Sequence, residues 1–293
     1  MTTNNGLLLI DKPRGVTSHD VVAHVRRVLN EKRVGHAGTL DPMATGLLIL
    51  GVGPSTRLLR FAQSEMKRYE GVLTLGVRTD SLDADGTEVE RAPVPYLTPE
   101  VIDDAINSLL GDQEQIPPMV SAVKVNGRRL HDLAREGVEV NRAPRSITVY
   151  TLSVVPIDEQ HWSFDVTCSV GTYVRVLMSD LAERLGTVGH LSALRRVSSG
   201  DHEVTDALTY YELEHRVSED IPVLLPPSAF VEHLAKVSVS EDEESRLRMG
   251  QRLEFDGPRG DEIAALSVTG HLVAVLRRRG EVWQPEVVMP AMA

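Results

Sequence analysis

The sequence predicts an α+β protein with a large domain over residues 1–236 and a small β domain over residues 237–293. At 293 residues, the chain is too long for one small core, so one large and one small domain are expected. An acidic segment with Pro222, Pro226 and Pro227 marks the boundary region. Short strands separated by turns follow it, which is the spacing typical of a small β-barrel.

The first elements are a strand and a helix. Residues 6–10 are apolar and predict a short buried strand. Thr17 or Ser18 can cap a helix that runs to residue 29, and Val21 and Val25 begin its apolar stripe. A glycine-rich loop comes next, and it leads directly into a second apolar run.

The middle of the chain contains elements of both kinds. The pattern predicts a short helix over 55–61, a strand over 69–77, a polar surface loop over 79–86, a helix from Thr98 to residue 110, a short hairpin entered over 116–127, and a basic helical turn over 128–135. Strands over 146–155 and 164–170, a helix ending near 186, a short basic stretch over 189–196, and an acidic, helical, peripheral segment over 201–236 follow. Turn signals at 256–260, 269–271 and 279–281 then divide a small β-barrel of about 55 residues.

The composition excludes several classes of protein. Cys168 is the one cysteine, so the chain can form neither an internal disulfide nor a thiolate metal cluster. His19 and His24 lack an acidic partner at ligand spacing, and no phosphate-binding or dinucleotide-binding glycine motif is present, so we expect neither a metal nor a cofactor. Polar residues follow Met1 and no apolar run reaches membrane length, so we expect a cytoplasmic protein with no membrane contact.

The net charge of −11 argues against a protein that coats nucleic acid, but the charge is uneven. Residues 1–80 carry 11 Lys and Arg against 7 Asp and Glu, whereas residues 81–120 carry 1 against 9 and residues 201–245 carry 2 against 12. A basic face on an acidic body is compatible with a nucleic-acid substrate that binds at one site.

The loop over residues 35–46 carries the strongest functional signal. It holds three glycines, His36 and Asp41 in twelve residues, and the apolar run 47–50 that follows predicts a buried strand. Pro42 stiffens the backbone beside Asp41, so this acid is expected on a rigid loop just before a core strand. Taken alone, such a loop is also compatible with a tight turn in which Asp41 caps its own backbone.

Three further residues are candidates for the same site. Tyr69, Tyr173 and Arg175 each stand at a strand end or at a switch from strand to helix. An arginine keeps a neighbouring carboxylate charged, and a tyrosine ring can stack on an extruded base, although both tyrosines also suit ordinary strand packing. Basic residues that could meet phosphates are Lys12, Arg14, Lys124, Arg128, Arg129, Arg195 and Arg196.

Six sequence blocks follow one another along the chain. They are LIDKPRGVTS at 9–18, the loop GHAGTLDPMATG at 35–46, KRY at 67–69, SAVKVNGR at 121–128, CSVGTYVR at 168–175 and HLSALRR at 190–196. These blocks, in this order, resemble the bacterial tRNA pseudouridine synthase B family. The resemblance is nearly continuous from Leu8 to Arg196. The C-terminal segment is similar, more loosely, to a PUA-like RNA-binding domain, and His131 replaces a tyrosine that the family usually has.

The resemblance implies the pseudouridine synthase fold, a mixed and mainly antiparallel sheet flanked by helices and loops. It also implies isomerisation of uridine at position 55 in the T-loop of tRNA. By similarity, Asp41 is the catalytic aspartate, Tyr69 stacks on the base, and Arg175 pairs with the aspartate. The implied substrate contacts are His36, Tyr173, Leu191, Lys12, Lys124, Arg128 and Arg195, with Lys12 and Pro13 supporting the catalytic loop.

The sequence leaves alternatives open at the level of function and of mechanism. The protein could bind or fold tRNA without chemistry, or it could modify another RNA. Asp41 could attack the sugar carbon or remove a sugar proton. We expect the T-stem-loop of tRNA as partner and a monomeric protein.

Overall fold

The computed structural model describes residues 4–62, 66–121, 124–125, 127–130, 133, 136–138, 140–255 and 257–291. The strands in chain order are β1 (Gly6–Lys12), β2 (Val34–Ala37), β3 (Thr45–Val52), β4 (Met66–Leu75), β5 (Val77–Thr79), β6 (Glu88–Arg91), β7 (Gly111–Gln115), β8 (Lys124–Val125), β9 (Arg128–Arg129), β10 (Arg145–Pro156), β11 (His161–Ser169), β12 (Gly189–Ser199), β13 (His202–Glu203), β14 (Ala235–Ser238), β15 (Glu262–Leu266), β16 (Leu272–Arg279) and β17 (Val282–Val288). The α-helices are α1 (Ser18–Val28), α2 (Pro99–Asn107), α3 (Val174–Arg184), α4 (Tyr210–Ser218) and α5 (Glu241–Arg248), with 3-10 helices at Gly53–Leu58, Val204–Asp206 and Pro227–Val231.

The large sheet has the strand order β1-β3-β12-β4-β11-β10-β7, with β2 added to β3 and β13 added to β12. Its pairs are antiparallel except for β12 and β3, which run parallel where Arg195 faces Thr45 and Arg196 faces Gly46. The predicted mixed, mainly antiparallel sheet is therefore confirmed. The parallel pair brings the end of the glycine-rich loop beside a strand that lies about 150 residues later.

Strand β3 is apolar and buried from Gly46 to Val52 because both of its faces are covered. Leu47 and Ile49 belong to a core cluster that extends into the C-terminal sheet. Leu48 and Leu50 belong to a second cluster, which α1 covers. The strand that carries the glycine-rich loop is thus held from two sides.

Helix α1 begins with a reciprocal cap, as the sequence predicts. The Thr17 side chain accepts from the backbone N–H of Asp20, and the Asp20 carboxylate accepts from the N–H of Thr17. Val21 and Val25, one turn apart, are fully buried against the sheet. Local capping and the apolar stripe are sufficient to explain both the start and the orientation of this helix.

The C-terminal region forms a four-stranded sheet in the order β14-β15-β16-β17. It starts at Ala235, close to the predicted domain start at residue 237, and it is the small β domain that the turn spacing predicts. Phe230, Val275 and Met289 share a buried cluster with β1 and β3. The small domain therefore packs directly against the sheet that carries the candidate site.

Three predictions of local structure are wrong. Residues 189–196 are not merely a basic stretch but most of β12, a central strand of the large sheet. The segment 201–236 is not peripheral, because Leu208 and Leu213 are buried and Leu225 exchanges backbone hydrogen bonds with Leu7. The loop 79–86 is not a surface loop, because three of its side chains, Thr79, Ser81 and Asp83, are buried.

The tightest backbone contact of the parallel pair is at Gly46, where φ is +100°. A Cβ at this position would lie 2.3 Å from the carbonyl oxygen of Arg196. We expect Gly46→Ala to lower the free energy of unfolding by about 3 kcal/mol or more, because backbone strain and a backbone clash add. Urea denaturation measures this loss.

Gly270 is the matched control for that variant. Its φ is +83°, but a Cβ there would have no heavy atom within 4 Å. Gly270→Ala should therefore lower the free energy of unfolding by about 1 kcal/mol, from backbone strain alone. Equal losses at the two glycines would show that the contact between β3 and Arg196 does not constrain the fold.

Within the described residues, no helix combines the length and the apolar character that a membrane crossing requires.

Candidate active site

A cavity of about 430 Å³ opens where the glycine-rich loop meets β4 and the start of α3. Asp41, Tyr69, Tyr173 and Arg175 all line it, although up to 134 residues separate them in sequence. The cavity has the size of small-molecule sites in general and can admit one nucleoside. The structure thus brings together the four residues that the sequence singles out.

The loop that carries Asp41 is fixed from below by the segment before α1. The Ser18 hydroxyl bonds both the carbonyl and the N–H of Leu40, at 3.1 and 2.9 Å. Lys12 is fully buried, and its ammonium donates to the carbonyl oxygens of Pro13, Val16 and Pro42. Burial lowers the pKa of Lys12 to about 8, with Asp41 and Asp20 opposing the shift. Lys12 therefore supports the loop, and it does not line the cavity.

Arg175 is the central cation of the site and is only 2% exposed. Its Nε lies 2.9 Å from Oδ2 of Asp41, so the predicted pairing of these residues is confirmed. Nη1 lies 3.3 Å from Oδ2 of Asp83 and donates to the carbonyl of Ser81 at 2.8 Å. Nη2 donates to the carbonyl of Val120 at 2.8 Å. A planar guanidinium can serve all of these acceptors at once, which an ammonium cannot do.

Asp83 is a site residue that the sequence analysis missed. It is nearly fully buried, and its other oxygen, Oδ1, accepts from the Ser81 hydroxyl and the N–H of Asp85. Asp41 and Asp83 thus flank one guanidinium, while Asp41 keeps 36% of its side chain exposed toward the cavity. The signal available in the sequence is the polar segment 79–86 itself, whose composition predicts a surface loop and not a buried acid.

Burial raises the pKa of Asp41, and the neighbouring charge of Asp83 raises it further. Arg175 and Lys12 oppose this shift without cancelling it. The arginine partner alone predicted a carboxylate held firmly in its charged form, but burial and the second carboxylate outweigh it. As the pH falls, an activity that needs ionised Asp41 should therefore be lost at a higher pH than one that depends on an aspartate with the usual pKa.

Asp83→Asn tests this balance of charges. Removing a negative neighbour favours the charged form of Asp41, so the acid limb of the pH–rate profile should move to lower pH. The plateau rate should also fall, by about tenfold, because Arg175 loses one of its two carboxylate partners. An acid limb that moves to higher pH would contradict the assignment.

Tyr69 stands on β4 with its ring facing the cavity and is 7% exposed. Burial raises the pKa of its phenol, and the nearby guanidinium of Arg196 opposes that shift. Arg196 is itself buried and is anchored by bonds to the carbonyls of Leu47 and Gly38. Tyr69 is therefore a neutral, rigidly held ring at physiological pH.

Tyr173 is the residue that caps α3, and its backbone is clamped by Gln115 at the end of β7. The Tyr173 N–H donates to Oε1 of Gln115 at 2.7 Å, and Nε2 of Gln115 donates back to the Tyr173 carbonyl at 3.1 Å. Gln115 is 5% exposed and was not among the predicted site residues. This clamp fixes the position at which α3 presents Arg175 to the cavity.

Several predicted substrate contacts lie outside the cavity lining. His36 stands on β2 with its Nδ1 buried, and burial lowers the pKa of its ring, which packs edge-on to His19 with centroids 5.6 Å apart. Arg195 makes a two-pronged pair with Asp11, at 3.0 and 2.7 Å. Leu191 is fully buried, and its N–H donates to the carbonyl of Leu82 behind the site.

The apolar residue that lines the cavity from β12 is Leu194 rather than Leu191. The two are three residues apart, and a register irregularity between Leu191 and Ala193 changes which side chains face the site. Among the basic residues, Arg128 is exposed and pairs with Glu136, and Lys124 lies on β8 with its side chain outside the described part. The substitution at His131 also falls outside the described residues.

Chemically, the cavity presents one partly exposed carboxylate, the guanidinium groups of Arg175 and Arg145, two phenol rings and the ammonium of Lys67. Among the described residues, no group of three or more His, Cys, Asp or Glu side chains is arranged to hold a metal ion. The carboxylate can act as a nucleophile or a base, and the rings can hold a planar base.

Comparison with known proteins agrees with this site. Residues 26–174 match the family described as TruB family pseudouridylate synthase (N terminal domain). Residues 234–290 match tRNA Pseudouridine synthase II, C terminal. The chain is 41% identical over 291 residues to tRNA pseudouridine synthase B of Streptococcus pneumoniae serotype 4, covering 97% of this chain and 99% of that one. It is 40% identical to the protein of the same name from Psychrobacter cryohalolentis, covering 92% and 78% of the two chains.

Solved structures show the same relationship. A chain in a crystal structure of a Cbf5-Nop10-Gar1 complex superposes with a TM-score of 0.76 at 26% identity, covering 97% of this chain and 85% of that one. A chain in an H/ACA RNP bound to a substrate RNA containing 2'-deoxyuridine gives 0.73 at 25% identity, with the same coverage. Because the first family match spans half of the sequence and the relatives span nearly all of it, this chain belongs to the TruB family of pseudouridylate synthases.

Proposed function

We propose that this protein isomerises uridine to pseudouridine at position 55, in the T-loop of tRNA. The observation that carries the proposal is the ion-paired Asp41 in a nucleoside-sized cavity, beside the ring of Tyr69. The name of the relatives, tRNA pseudouridine synthase B, supports tRNA as the substrate, because they are similar to this protein over nearly the whole chain. The protein acts as a cytoplasmic monomer on the T-stem-loop.

The target uridine must leave its stack to reach Asp41, at a cost of a few kcal/mol. Tyr69 and Tyr173 line the cavity and hold the extruded base from its flanks. Exposed cations beyond the cavity, such as Arg128 and Arg14, meet phosphates of the RNA. His36 lies on β2, where the glycine-rich loop begins, and occupies the space that the flipped base vacates.

Asp41 starts the reaction at the sugar. Its carboxylate either attacks C1′ or removes a sugar proton, and in both cases the N1–C1′ electron pair leaves with the uracil. The ring turns inside the cavity and bonds to C1′ through C5. On the first route the C1′–O bond to Asp41 breaks as this bond forms, and on the second route Asp41 returns the proton to the sugar. The C5 proton then departs, with Tyr69 placed to take part, and a proton is taken up at N1. Nothing is oxidised, and the product is an isomer of the substrate.

Arg175 keeps Asp41 in position throughout the cycle. Its contacts to Asp83, Ser81 and Val120 hold the guanidinium in one orientation, so that Asp41 is presented to the cavity in a fixed geometry. The cavity walls keep the released uracil from diffusing away before it re-bonds.

Tritium release from C5-labelled uridine in an unmodified T-stem-loop tests the proposal. A synthase releases one tritium per pseudouridine formed, whereas a protein that only binds or folds tRNA releases none. A ribosomal RNA hairpin of equal length is the matched substrate control, because modification of another RNA is the alternative that the sequence leaves open. Faster turnover of the ribosomal hairpin would assign the protein to a different RNA.

A further inference from the structure

Lys67 is a buried cation at the active-site cavity to which the mechanism so far gives no part. It stands on β4 two residues before Tyr69, so the two side chains share one face of the strand. Lys67 is 8% exposed and lines the same cavity as Asp41 and Arg175. Among the described residues that line the cavity, Lys67 is the buried charged group without a carboxylate partner, whereas Arg145, which also lines it, is exposed to solvent.

Buried ammonium groups are almost always paired, because desolvation without a partner is costly. The groups that face Lys67 are Arg196 from β12, Cys168 from β11 and Tyr69 from its own strand. None is an anion at neutral pH, since burial raises the pKa of Cys168 to about 11 and also raises that of Tyr69. The free protein therefore holds a cation that lacks its anionic or strongly accepting partner.

A second cation points to the same place. Arg196 is 1% exposed, and its buried Nη1 makes no well-aligned hydrogen bond within the described residues, with the phenol of Tyr69 as the neighbouring polar side chain. The point where a Cβ of Gly38 would stand lies 2.9 Å from Nζ of Lys67 and 3.4 Å from Nη1 of Arg196. Gly38 has a φ of +81° and borders the cavity, so the glycine leaves open the corner where both cations converge.

The proposed reaction supplies a group that fits this corner. When N1–C1′ breaks, its electron pair stays with the uracil, and the negative charge spreads over N1 and the two carbonyl oxygens. The phosphates of a continuous RNA strand must remain near the cavity mouth, whereas the extruded base enters first and reaches the buried end. A donor aimed at an oxygen that gains charge in the transition state is among the strongest devices in catalysis.

We propose that Lys67 donates a hydrogen bond to a carbonyl oxygen of the flipped uracil and stabilises its negative charge while N1–C1′ is broken, with Arg196 as the cation behind it. This role rests on the proposed isomerisation. Lys67 gives up no proton for good: its ammonium bonds the oxygen while charge is present, and the ring becomes neutral again when C5 joins C1′, the C5 proton leaves and N1 is protonated.

The assignment has a consequence at alkaline pH. Burial and the charge of Arg196 lower the pKa of Lys67 to about 8. Activity that needs the ammonium form should fall as the pH rises through that value in the kcat/KM profile of the free protein. Lys67→Arg keeps its charge throughout, so its profile should stay flat from about pH 7 to 9. A limb that persists in this variant would belong to another group, such as Lys12, and would count against the proposal.

Lys67→Met, which keeps the length and removes the charge, is the direct test. With unmodified tRNA at saturation, the single-turnover rate should fall by about 100-fold, as for the loss of one donor to a developing oxyanion. The dissociation constant for tRNA should change by less than about threefold, because the proposed contact of Lys67 is to the base and no phosphate contact is lost. Lys67→Arg should restore the rate to within about tenfold of the parent.

Lys236→Met is the matched control, because Lys236 is exposed on β14, outside the cavity. Weaker tRNA binding with an unchanged saturated rate for Lys67→Met would make Lys67 a phosphate contact and overturn the proposal. An unchanged rate and affinity would overturn it as well. If the parent protein itself forms no pseudouridine in tRNA, the proposed function fails first, so the two failures are distinguishable. Should Lys67→Met not fold, the pH profile of Lys67→Arg decides.

Discussion

Replacing Asp41 with asparagine is expected to lower pseudouridine formation by at least about 10⁴-fold, the scale of losing a nucleophile or its base. Asparagine has nearly the same size and can still bond Arg175, so the cavity should keep its shape. The amide can neither attack C1′ nor accept a sugar proton, and both routes to breaking N1–C1′ close. Single-turnover assays with unmodified tRNA measure the loss.

A measurement of tRNA affinity separates a loss of catalysis from a loss of tRNA recognition in Asp41→Asn. The cavity and the exposed cations are unchanged in Asp41→Asn, so filter binding should give a tRNA affinity within a few-fold of the parent. Asp85→Asn is a suitable control, because Asp85 lies in the same neighbourhood without lining the cavity. Normal turnover by Asp41→Asn would remove Asp41 from the mechanism altogether.

Arg175→Met should be the second most damaging substitution. It leaves Asp41 and Asp83 facing each other without the guanidinium between them, which drives the pKa of Asp41 further up. We expect turnover at pH 7 to fall by about 10³-fold, from loss of both charge and position. The free energy of unfolding should drop by about 3 kcal/mol, the low end for a broken buried pair, because Asp41 is partly exposed.

Arg175→Lys distinguishes the two losses. It keeps one positive charge, yet a single ammonium cannot reach Asp41, Asp83 and two backbone carbonyls in fixed directions. Stability should recover in part, whereas turnover should stay at least about tenfold low because Asp41 is no longer aligned. Full recovery of turnover with lysine would mean that Asp41 requires only a positive charge and not the fixed orientation that the guanidinium provides.

The residues whose roles depend on short-range patterns could be predicted well. The cap of α1 at Thr17, the buried strand after the glycine-rich loop, and the mounting of Asp41 on that loop follow from local chemistry. Pro42 lies directly beside Asp41, so its effect is visible in the sequence, whereas the close approach of Gly46 to Arg196 is not. Predictions of this kind succeed because the partners are neighbours along the chain.

The errors fall where a residue's role depends on a distant partner. Strand β12 was missed because two register irregularities break its alternation and because it buries Arg196, a residue that usually marks a surface. Asp83 was placed in solvent for the same reason, since nothing in its own loop reveals the guanidinium of Arg175. Leu191 and Leu194 were confused because one bulge decides which of them faces the cavity.

The amino-acid sequence alone determined the class of the fold and the acid that the site is built around, whereas its pairing with Arg175 was implied by the family resemblance. Composition, turn chemistry and a chain of six motifs suffice for that, because each is a property of residues close together in the chain. The tertiary structure alone decided that Asp83 shares the guanidinium, that Leu194 lines the cavity, and that Lys67 is buried there without a carboxylate partner among the described residues. Charge balance inside a cavity depends on burial and on partners from other strands, and only the folded sheet fixes these.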